Sequence, residues 1–322
     1  VLIPNIGVNN INIAVTLILV IMAIIAREKK DKKYYCTTII LVISMILLIL
    51  LGKYIFKRNN PDVLLDTDSQ YSRIWVREIA TKEVTYKTLQ VDTGLESYVN
   101  SETGEMGAEY LRYYDLFEYL NKNAKSTLLI GGAGYTYPIH YLQKYSDKTI
   151  DVVEIDEKMT QIAEEQFGLN ANDDRLKIYT QDGRSFLNYN ENKYDTILID
   201  AFKGLNAPFE LTTYEALTNA KNMLNDNGVV LTNIISSLEG EDSDFIKYEY
   251  ATYKAVFDDV KIFMELNSER TDRQNLILVG IKGEPQIDET KYEEYKKYLD
   301  RQVTEFETDK QIVTDDFAPI GN

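Results

Sequence analysis

A short strand-like run that ends in three glycines constrains the fold of this chain more than any other feature. Thr127–Ile130 lead directly into Gly131, Gly132 and Gly134. Glycine lets the backbone turn tightly and lets a ligand approach the main chain closely. The pattern therefore predicts a buried strand, a tight turn and then a helix, with room for a nucleotide on the turn. A plain tight turn without a ligand is the alternative.

The end of the next apolar run strengthens the nucleotide interpretation. This run begins at Ile150 and reaches Glu154, about 20 residues beyond the glycines, where a carboxylate can accept both hydroxyls of a ribose. A strand followed by a glycine turn and then by an acid on the second strand is more specific than the glycines alone. We therefore predict that Glu154 and the glycine turn form a nucleoside site.

Composition excludes several classes of function. The 35 basic and 51 acidic residues give a net charge of −16, which repels nucleic-acid phosphates, so we expect no nucleic-acid partner. The single cysteine, Cys36, cannot form an intrachain disulfide. The single histidine, His140, has no cysteine or second histidine to complete a zinc site or a Cys–His pair, so we expect no metal and interpret it as structural.

Two apolar runs near the start predict a transmembrane helical hairpin. Residues 11–26 and 36–52 are almost wholly apolar, and each is close to the lower length limit of about 17 residues for a spanning helix. Lysine and arginine flank both runs. A cleaved signal peptide would explain only one of them, and buried helices are the other alternative. We expect residues 11–52 to lie in the lipid bilayer.

The remaining chain predicts an α/β fold. Alternating residues predict a small antiparallel sheet over 72–79, 84–91 and 95–99. Helical spacing follows over 107–121. Strand and helix patterns then alternate, which is typical of a parallel Rossmann sheet of the class I methyltransferase kind, with helices on both faces. Its strands are expected at 127–130, 150–154, 176–179, 195–199 and 229–233, with a helix over 242–257, further strands at 260–265 and 275–281, and a charged helical tail over 284–310.

These patterns predict four parts of the chain. They are a transmembrane hairpin over 1–58, a small β-domain over 59–106, a Rossmann-like S-adenosyl ligand-binding domain over 107–283 and a charged C-terminal tail over 284–322.

Two further acids follow predicted strands, at the sheet edge where such folds bind ligands. Asp200 ends a buried strand and could take a proton from an attacking amine or hold an ammonium group. Asp182, followed by Gly183, could accept a hydrogen bond from an adenine amino group. An aspartate in either place is also a common turn former or helix cap.

Together these motifs resemble the spermidine synthase (polyamine aminopropyltransferase) family, in particular its membrane-fused branch. Most of the individual pieces are shared with class I methyltransferases, and the small sheet before the glycine turn favours the synthase family. The residues that carry the resemblance are Ser69–Tyr71, Leu89–Asp92, Tyr110, the glycine turn, Val153–Asp156, Asp174–Ile178, Gln181–Gly183, Tyr194–Asp200, Ala207–Leu211 and Thr314–Pro319.

The resemblance implies a membrane-anchored transferase that uses S-adenosylmethionine or its decarboxylated form. Glu154 would hold the ribose and Asp182 the adenine, while Asp200 would act on an amine acceptor. It also implies that Tyr71, Tyr110 and Glu210 contact the amine substrate. By analogy, two copies would form a homodimer.

Three departures from the family pattern keep other functions open. Gly134 stands where the family has an acid, which weakens the preference for the decarboxylated ligand. Lys203 replaces a second acid, and its repulsion of a diammonium acceptor is about 1 kcal/mol or more. Ser72 also stands in place of a family glutamine. A methyltransferase that uses intact S-adenosylmethionine and a non-catalytic nucleotide-binding membrane protein are the alternatives.

The predicted membrane orientation rests on two conflicting arguments. Basic residues in the link 27–33 favour a cytoplasmic link and a large domain outside. The expected ligand is made in the cytosol, which favours a cytoplasmic catalytic domain. We give the chemistry more weight and predict a multi-pass membrane protein with a cytoplasmic catalytic domain.

Overall fold

The computed structural model describes residues 8–25, 32–201 and 208–319. The chain divides into two compact units, Val1–Thr93 and Gly94–Asn322. The helices and strands described in the first unit are α1 (Val8–Ile25), α2 (Lys32–Asn59), β1 (Val63–Asp68), β2 (Arg73–Ala80) and β3 (Thr85–Val91). The domain boundaries drawn from the sequence, at residues 59, 107 and 284, stay predictions.

The two apolar runs are helical, as expected, but the membrane prediction is wrong. Within the described ranges, no helix combines the length and the apolar character needed to cross a membrane. The sequence of α1, with 18 residues, includes asparagines in its first turns, and basic residues occur near both ends of α2. Such residues shorten the apolar stretch, which must be about 20 residues to span. The predicted transmembrane hairpin and multi-pass localisation are therefore corrected, and lipid contact through residues 11–52 is unsupported.

The small antiparallel sheet is confirmed in the first unit. β2 pairs antiparallel with β1 on one side and with β3 on the other. Ile74, Val76 and Leu89 are fully buried on one face of this sheet, as expected from the two-residue period of a strand. The sequence analysis missed β1, whose Asp66 accepts two hydrogen bonds from the Arg73 guanidinium, at 3.1 and 2.9 Å.

The second unit contains eight described strands that alternate with helices. The strands are β4 (Gly94–Asn100), β5 (Ser126–Ile130), β6 (Thr149–Glu154), β7 (Leu176–Thr180), β8 (Tyr194–Ile199), β9 (Leu224–Ser236), β10 (Asp259–Phe263) and β11 (Gln274–Ile281). The helices are α3 (Phe117–Leu120), α4 (Thr136–Lys144), α5 (Glu157–Ile162), α6 (Gly183–Tyr189), α7 (Tyr214–Met223), α8 (Asp244–Val256) and α9 (Tyr292–Leu299).

Seven of these strands form one sheet in the order β10-β11-β9-β8-β5-β6-β7. β5, β6, β7, β8 and β9 are mutually parallel, and β11 and β10 add antiparallel strands at one edge. β5 lies between β6 and β8, so the chain leaves β5 in one direction across the sheet and later returns to its other side. Ligands in such folds bind where the strand order reverses, outside the carboxyl ends of the strands.

Helices cover both faces of this sheet, as the sequence predicts. Leu128 and Leu129 are adjacent in β5, but they belong to separate buried clusters because successive strand side chains point to opposite faces. α4 and α9 contribute tyrosines to the cluster of Leu129. α6, α7 and α8 pack into the cluster of Leu128.

Two helical predictions are only partly correct. The stretch predicted over 107–121 forms a 3-10 helix, Glu109–Leu116, before the single turn of α3. The charged tail predicted over 284–310 is helical only at Glu289–Lys291 and in α9. In the rest of that tail, Val303 and Phe306 pack against the cluster of Leu128 without forming a helix. Packing rather than propensity stabilises most protein helices.

The segment 311–317 is attached to the second unit through Arg184. The Arg184 guanidinium binds the Asp315 carboxylate through two hydrogen bonds of 2.9 and 2.5 Å and donates to the Glu210 carbonyl at 2.8 Å. The Thr213 hydroxyl also donates to Asp315, at 2.7 Å. Val313 is fully buried, and its N–H donates to a threonine of α8. Arg184 therefore joins this segment to the residues that begin α6 and α7.

We expect Asp315→Ala to release the segment 311–317. The change removes both carboxylate oxygens that accept from Arg184, and the loss of a charged hydrogen-bonded pair should accelerate amide hydrogen exchange at Val313 about tenfold. Asp316→Ala is the matched control, because this neighbouring aspartate is also exposed but does not accept a hydrogen bond from Arg184. Equal exchange rates in the two variants would show that Arg184 does not hold the segment.

Candidate functional site

Gly131 brings the ends of three parallel strands together. Its N–H donates to the Val153 carbonyl at 2.9 Å, and the Asp200 N–H donates to the Ile130 carbonyl at 2.9 Å. Gly131 has φ of +97°, and a Cβ atom there would lie 2.2 Å from the Asp200 carbonyl oxygen. Only glycine fits this position, because the chain at the end of β8 approaches it so closely. The predicted ligand contacts of Gly131, Gly132 and Gly134 stay predictions.

Glu154 lies beneath the glycine turn with both carboxylate oxygens engaged. One oxygen accepts from the N–H groups of Gly132 and Ala133 at 2.8 and 3.0 Å, and the other accepts from the Asp156 N–H at 2.9 Å. Glu154 is 8% exposed. Burial raises its pKa, against the effect of these three hydrogen bonds. The side chain thus faces the turn and fixes its shape, and its contact with a ribose stays a prediction.

Asp200 follows β8 and lies among polar side chains from distant parts of the second unit. One carboxylate oxygen accepts from the Tyr110 hydroxyl at 3.1 Å, and the other accepts from the Asn233 amide at 3.2 Å. Burial raises the pKa of Asp200 to about 6, although Asn233, Tyr110 and the nearby Tyr114 hydroxyl oppose this shift. The carboxylate is therefore able to exchange a proton near neutral pH.

Asn233 and Tyr114 belong to this site, and the sequence analysis missed both. The Tyr114 hydroxyl is fully buried and makes no hydrogen bond within the described residues, yet it lies close enough to Asp200 for each to shift the other's pKa. Asn233 also donates to Asn275 at 3.1 Å. The only sequence signal for Asn233 was a polar residue inside the apolar run 229–235.

A pocket connects the glycine turn to Asp200, and we call it the glycine-turn pocket. β4 contributes one wall, because the Ser97 hydroxyl accepts from the Gly134 N–H at 3.1 Å. The sequence analysis did not identify β4 as part of the site. The lining residues are Glu96, Ser97, Tyr110, Leu111, Leu129, Gly131, Gly132, Ala133, Thr136, Tyr137, Pro138 and Asp200.

Asp182 and Gly183 lie at the next strand end, after β7. Asp182 caps α6, since its carboxylate accepts from the Ser185 N–H at 2.8 Å. A Cβ on Gly183 would lie 2.6 Å from the Ile130 side chain. The structure therefore agrees with the alternative interpretation, in which Asp182 and Gly183 form a turn and cap a helix. The adenine contact of Asp182 stays a prediction.

The resemblance implies three substrate residues, and of these only Tyr110 is seen to contact Asp200. Tyr110 contacts Asp200, as described above. Glu210 lies in a 3-10 turn and is exposed, and its main-chain carbonyl accepts from Arg184. Tyr71 belongs to the first unit, where its N–H donates to the Ser69 hydroxyl. Lys203 lies outside the described residues.

His140 takes part in a buried polar network. Its ring is 2.9 Å from Asp115, which also accepts from Lys144 at 3.0 Å and from the Tyr137 hydroxyl at 3.1 Å. Burial opposes ionisation of Asp115, but these basic partners lower its pKa. The network joins α4 to the preceding 3-10 helix, in agreement with a structural role. Across the described ranges, no group of three or more His, Cys, Asp or Glu side chains could hold a metal ion.

Comparison with known proteins agrees with the resemblance in the sequence. Residues 115–267 match the family model "Spermine/spermidine synthase domain". A probable polyamine aminopropyl transferase of Bifidobacterium longum is 27% identical over 79% of this chain and 60% of its own. A polyamine aminopropyltransferase of Vibrio vulnificus is 34% identical over 42% of this chain and 45% of its own. The chain therefore spans about half the length of these curated relatives.

A solved structure shows the same fold. The spermidine synthase of Thermotoga maritima superposes with a TM-score of 0.57 at 17% identity, over 80% of this chain and 82% of that one. The family-model and curated matches support the spermidine synthase family, and the solved structure shows the fold. None of these matches distinguishes its membrane-fused branch.

The approach of Gly131 to Asp200 predicts an unequal effect of two glycine substitutions. Gly168 has φ of +81° with nothing within 4 Å of a built Cβ, whereas a Cβ at Gly131 meets backbone at 2.2 Å. Gly168→Ala should cost about 1 kcal/mol of unfolding free energy through backbone strain alone. Gly131→Ala adds a steric clash and should cost about 2 to 4 kcal/mol.

Urea unfolding of the two variants measures the difference. Equal losses of unfolding free energy in the two variants would mean that β8 does not approach the glycine turn as closely as described.

Proposed function

We propose that this protein is a spermidine synthase-like transferase that moves an aminopropyl group from decarboxylated S-adenosylmethionine to an amine acceptor. The observation that carries the proposal is the environment of Asp200. A carboxylate with a pKa of about 6 lies beside the glycine turn of a Rossmann sheet and accepts hydrogen bonds from Tyr110 and Asn233. The family and curated matches agree with this chemistry.

The strand ends offer groups suited to the adenosyl part of the donor. Each carboxylate oxygen can accept more than one hydrogen bond, so the main-chain bonds of Glu154 leave acceptor capacity for ribose hydroxyls. The same bonds hold its carboxylate at the turn. Asp182 and Gly183 follow the neighbouring strand, β7, where the adenine would lie in this proposal.

Asp200 is suited to prepare the acceptor. A primary amine is protonated in water and cannot attack until it loses a proton. An ionised Asp200 first holds the ammonium and then receives its proton, while the new C–N bond forms and the C–S bond breaks. The sulfur keeps the electron pair of the broken bond and leaves as a neutral thioether. Since the sulfonium is already a good leaving group, positioning and this deprotonation supply most of the rate.

A methyltransferase that uses intact S-adenosylmethionine is the second candidate. The observation in its favour is that Gly134 carries no acid, and its N–H is bound to Ser97. The two candidates differ in product. The transferase releases methylthioadenosine when it is given the decarboxylated donor and a panel of amines, whereas the methyltransferase releases S-adenosylhomocysteine from the intact donor.

The pKa of Asp200 predicts the pH dependence of the transferase reaction. Only the ionised carboxylate accepts a proton, so the rate should rise with pH through about 6 and become constant above it. Asp200→Asn should remove at least 99% of methylthioadenosine release, since general acid–base groups contribute about 100-fold or more. Unchanged turnover in this variant would refute the proposal.

A tyrosine substitution tests whether the pH profile belongs to Asp200. The Tyr110 hydrogen bond lowers the pKa of this carboxyl. Tyr110→Phe should therefore move the acidic limb of the pH–rate profile, where the rate rises with pH, to higher pH by about one unit. Tyr119→Phe is the control, because Tyr119 packs against Tyr292 outside the pocket. An acidic limb that stays in place in Tyr110→Phe would assign it to another group.

A further inference from the structure

Arg184 joins the start of α6 to two distant parts of the chain. The residue follows Gly183 directly, and its side chain is 16% exposed. All three guanidinium nitrogens donate to protein groups. The acceptors are the Asn188 amide oxygen at 3.0 Å, the Glu210 carbonyl at 2.8 Å, the Thr213 hydroxyl at 2.9 Å and the Asp315 carboxylate oxygens at 2.9 and 2.5 Å. An arginine with so many bonds fixes the positions of its partners relative to one another.

The turn formed by Asp182 and Gly183 packs against residues from two other strand ends. A Cβ built on Gly183 would lie 2.6 Å from the Ile130 side chain and 3.5 Å from the Leu211 side chain. Ile130 ends β5, beside the glycine turn, and Leu211 ends the 3-10 turn that begins at Phe209. In the proposed function the adenine lies at Asp182 and Gly183. The place of Leu211 therefore helps to set the adenine side of the donor site.

The 3-10 turn at 209–211 has local bonds that keep its shape, and Arg184 holds it against α6. The Leu211 N–H donates to the Pro208 carbonyl at 2.9 Å, and the Thr212 hydroxyl donates to the Phe209 carbonyl at 2.9 Å. These bonds close the turn on itself. The bond from Arg184 to the Glu210 carbonyl instead joins the turn to α6, and it holds the following Leu211 side chain against Gly183.

Asp315 sets the direction of the Arg184 side chain. Its two carboxylate oxygens accept from two different nitrogens of the guanidinium. A bidentate pair of this kind fixes the plane of a guanidinium as well as its distance. The carboxylate also accepts from the Thr213 hydroxyl at 2.7 Å, and the Asp315 N–H donates to the Glu215 carboxylate at 3.0 Å. The segment 311–317 thus contacts the adenine side of the site through Arg184.

We propose that Arg184 is a positioning residue for the adenosyl ligand and that Asp315 acts through it. Arg184 does not line the glycine-turn pocket, and each of its nitrogens is bound to a protein group. It therefore acts by holding Gly183 and Leu211 in place rather than by touching the ligand. This inference rests on the proposed function and adds the segment 311–317 to the parts of the chain that set donor affinity.

Arg184→Gln tests the inference because it removes the bidentate pair and the bond to the Glu210 carbonyl. Calorimetry on the purified full chain uses methylthioadenosine, which has the adenosyl part of the donor without its charges. Its binding should weaken about tenfold, as expected when a site loses the equivalent of one charged hydrogen bond. In the transferase assay the KM for the decarboxylated donor should rise about tenfold with kcat unchanged, since ground state and transition state lose the same binding. A fall in kcat at unchanged KM would overturn the inference.

Arg175→Gln is the matched control. Arg175 also forms a bidentate pair, with Asp173 at 3.0 and 2.7 Å, and donates to two main-chain carbonyls, those of Leu142 and Tyr145 at 2.9 and 2.5 Å. It directly precedes β7, at the opposite end of that strand from the site. The control should lose unfolding free energy much as Arg184→Gln does and keep its affinity for methylthioadenosine. Equal losses of affinity in the two variants would indicate general loss of structure and overturn the inference.

Two further variants keep the inference testable if Arg184→Gln does not fold. Arg184→Lys retains the charge without the bidentate geometry, so it should bind methylthioadenosine with an affinity between those of the wild type and Arg184→Gln. Asp315→Ala removes an exposed side chain and should weaken binding about threefold, because Arg184 keeps its other acceptors. Wild-type affinity in both variants would overturn the inference.

A double variant tests whether Asp315 acts through Arg184. Because both changes break the same contact, Arg184→Gln combined with Asp315→Ala should bind methylthioadenosine no more weakly than Arg184→Gln alone. Additive losses would overturn the role assigned to Asp315.

The proposed function and this inference fail in different ways. If the wild-type protein binds neither methylthioadenosine nor the decarboxylated donor, both are overturned. If the wild type binds methylthioadenosine and releases it from the decarboxylated donor, but Arg184→Gln binds it just as tightly, the positioning inference fails and the proposed function remains supported.

Discussion

The main-chain contact between Gly131 and Asp200 is the constraint on which the candidate site depends. A residue with a side chain at position 131 would push β5 and β8 apart at their ends. With glycine there, the Asp200 N–H reaches the Ile130 carbonyl, and the Gly131 N–H reaches the Val153 carbonyl on the other side. Three strand ends then share one edge, where Glu154 ends β6 and Asp200 follows β8.

Glu154 and Asp200 show how one sheet edge gives two carboxylates different environments. Glu154 accepts three main-chain hydrogen bonds, so it is bound into the structure of the turn. Among the described residues, the Asp200 carboxylate accepts hydrogen bonds from side chains alone, a phenol and an amide, and burial raises its pKa to about 6. The first carboxylate holds the main chain of the turn in place, whereas the second is suited to exchange a proton. The difference comes from the partners rather than from the residue type.

The sequence predicted the parts of the fold that are governed by local patterns. Apolar runs located the parallel strands, and the glycine turn with Glu154 located the sheet edge. Tyr114, Asn233 and Glu96 were missed because they approach Asp200 only after distant segments have packed, and no local spacing encodes that approach. The membrane hairpin was wrong for a related reason. Apolar content predicted helices correctly, but it did not show where those helices end or which polar residues they include.

The link between Arg184 and Asp315 joins residues 131 positions apart. The same guanidinium binds the Glu210 carbonyl, in the turn that follows Asp200 along the chain. Contacts of such long sequence separation form late, after the loop-closure entropy has been offset by other packing. During folding, the sheet and its glycine turn can therefore assemble first, and the turn that contains Glu210 gains its last support only when the residues around Asp315 arrive.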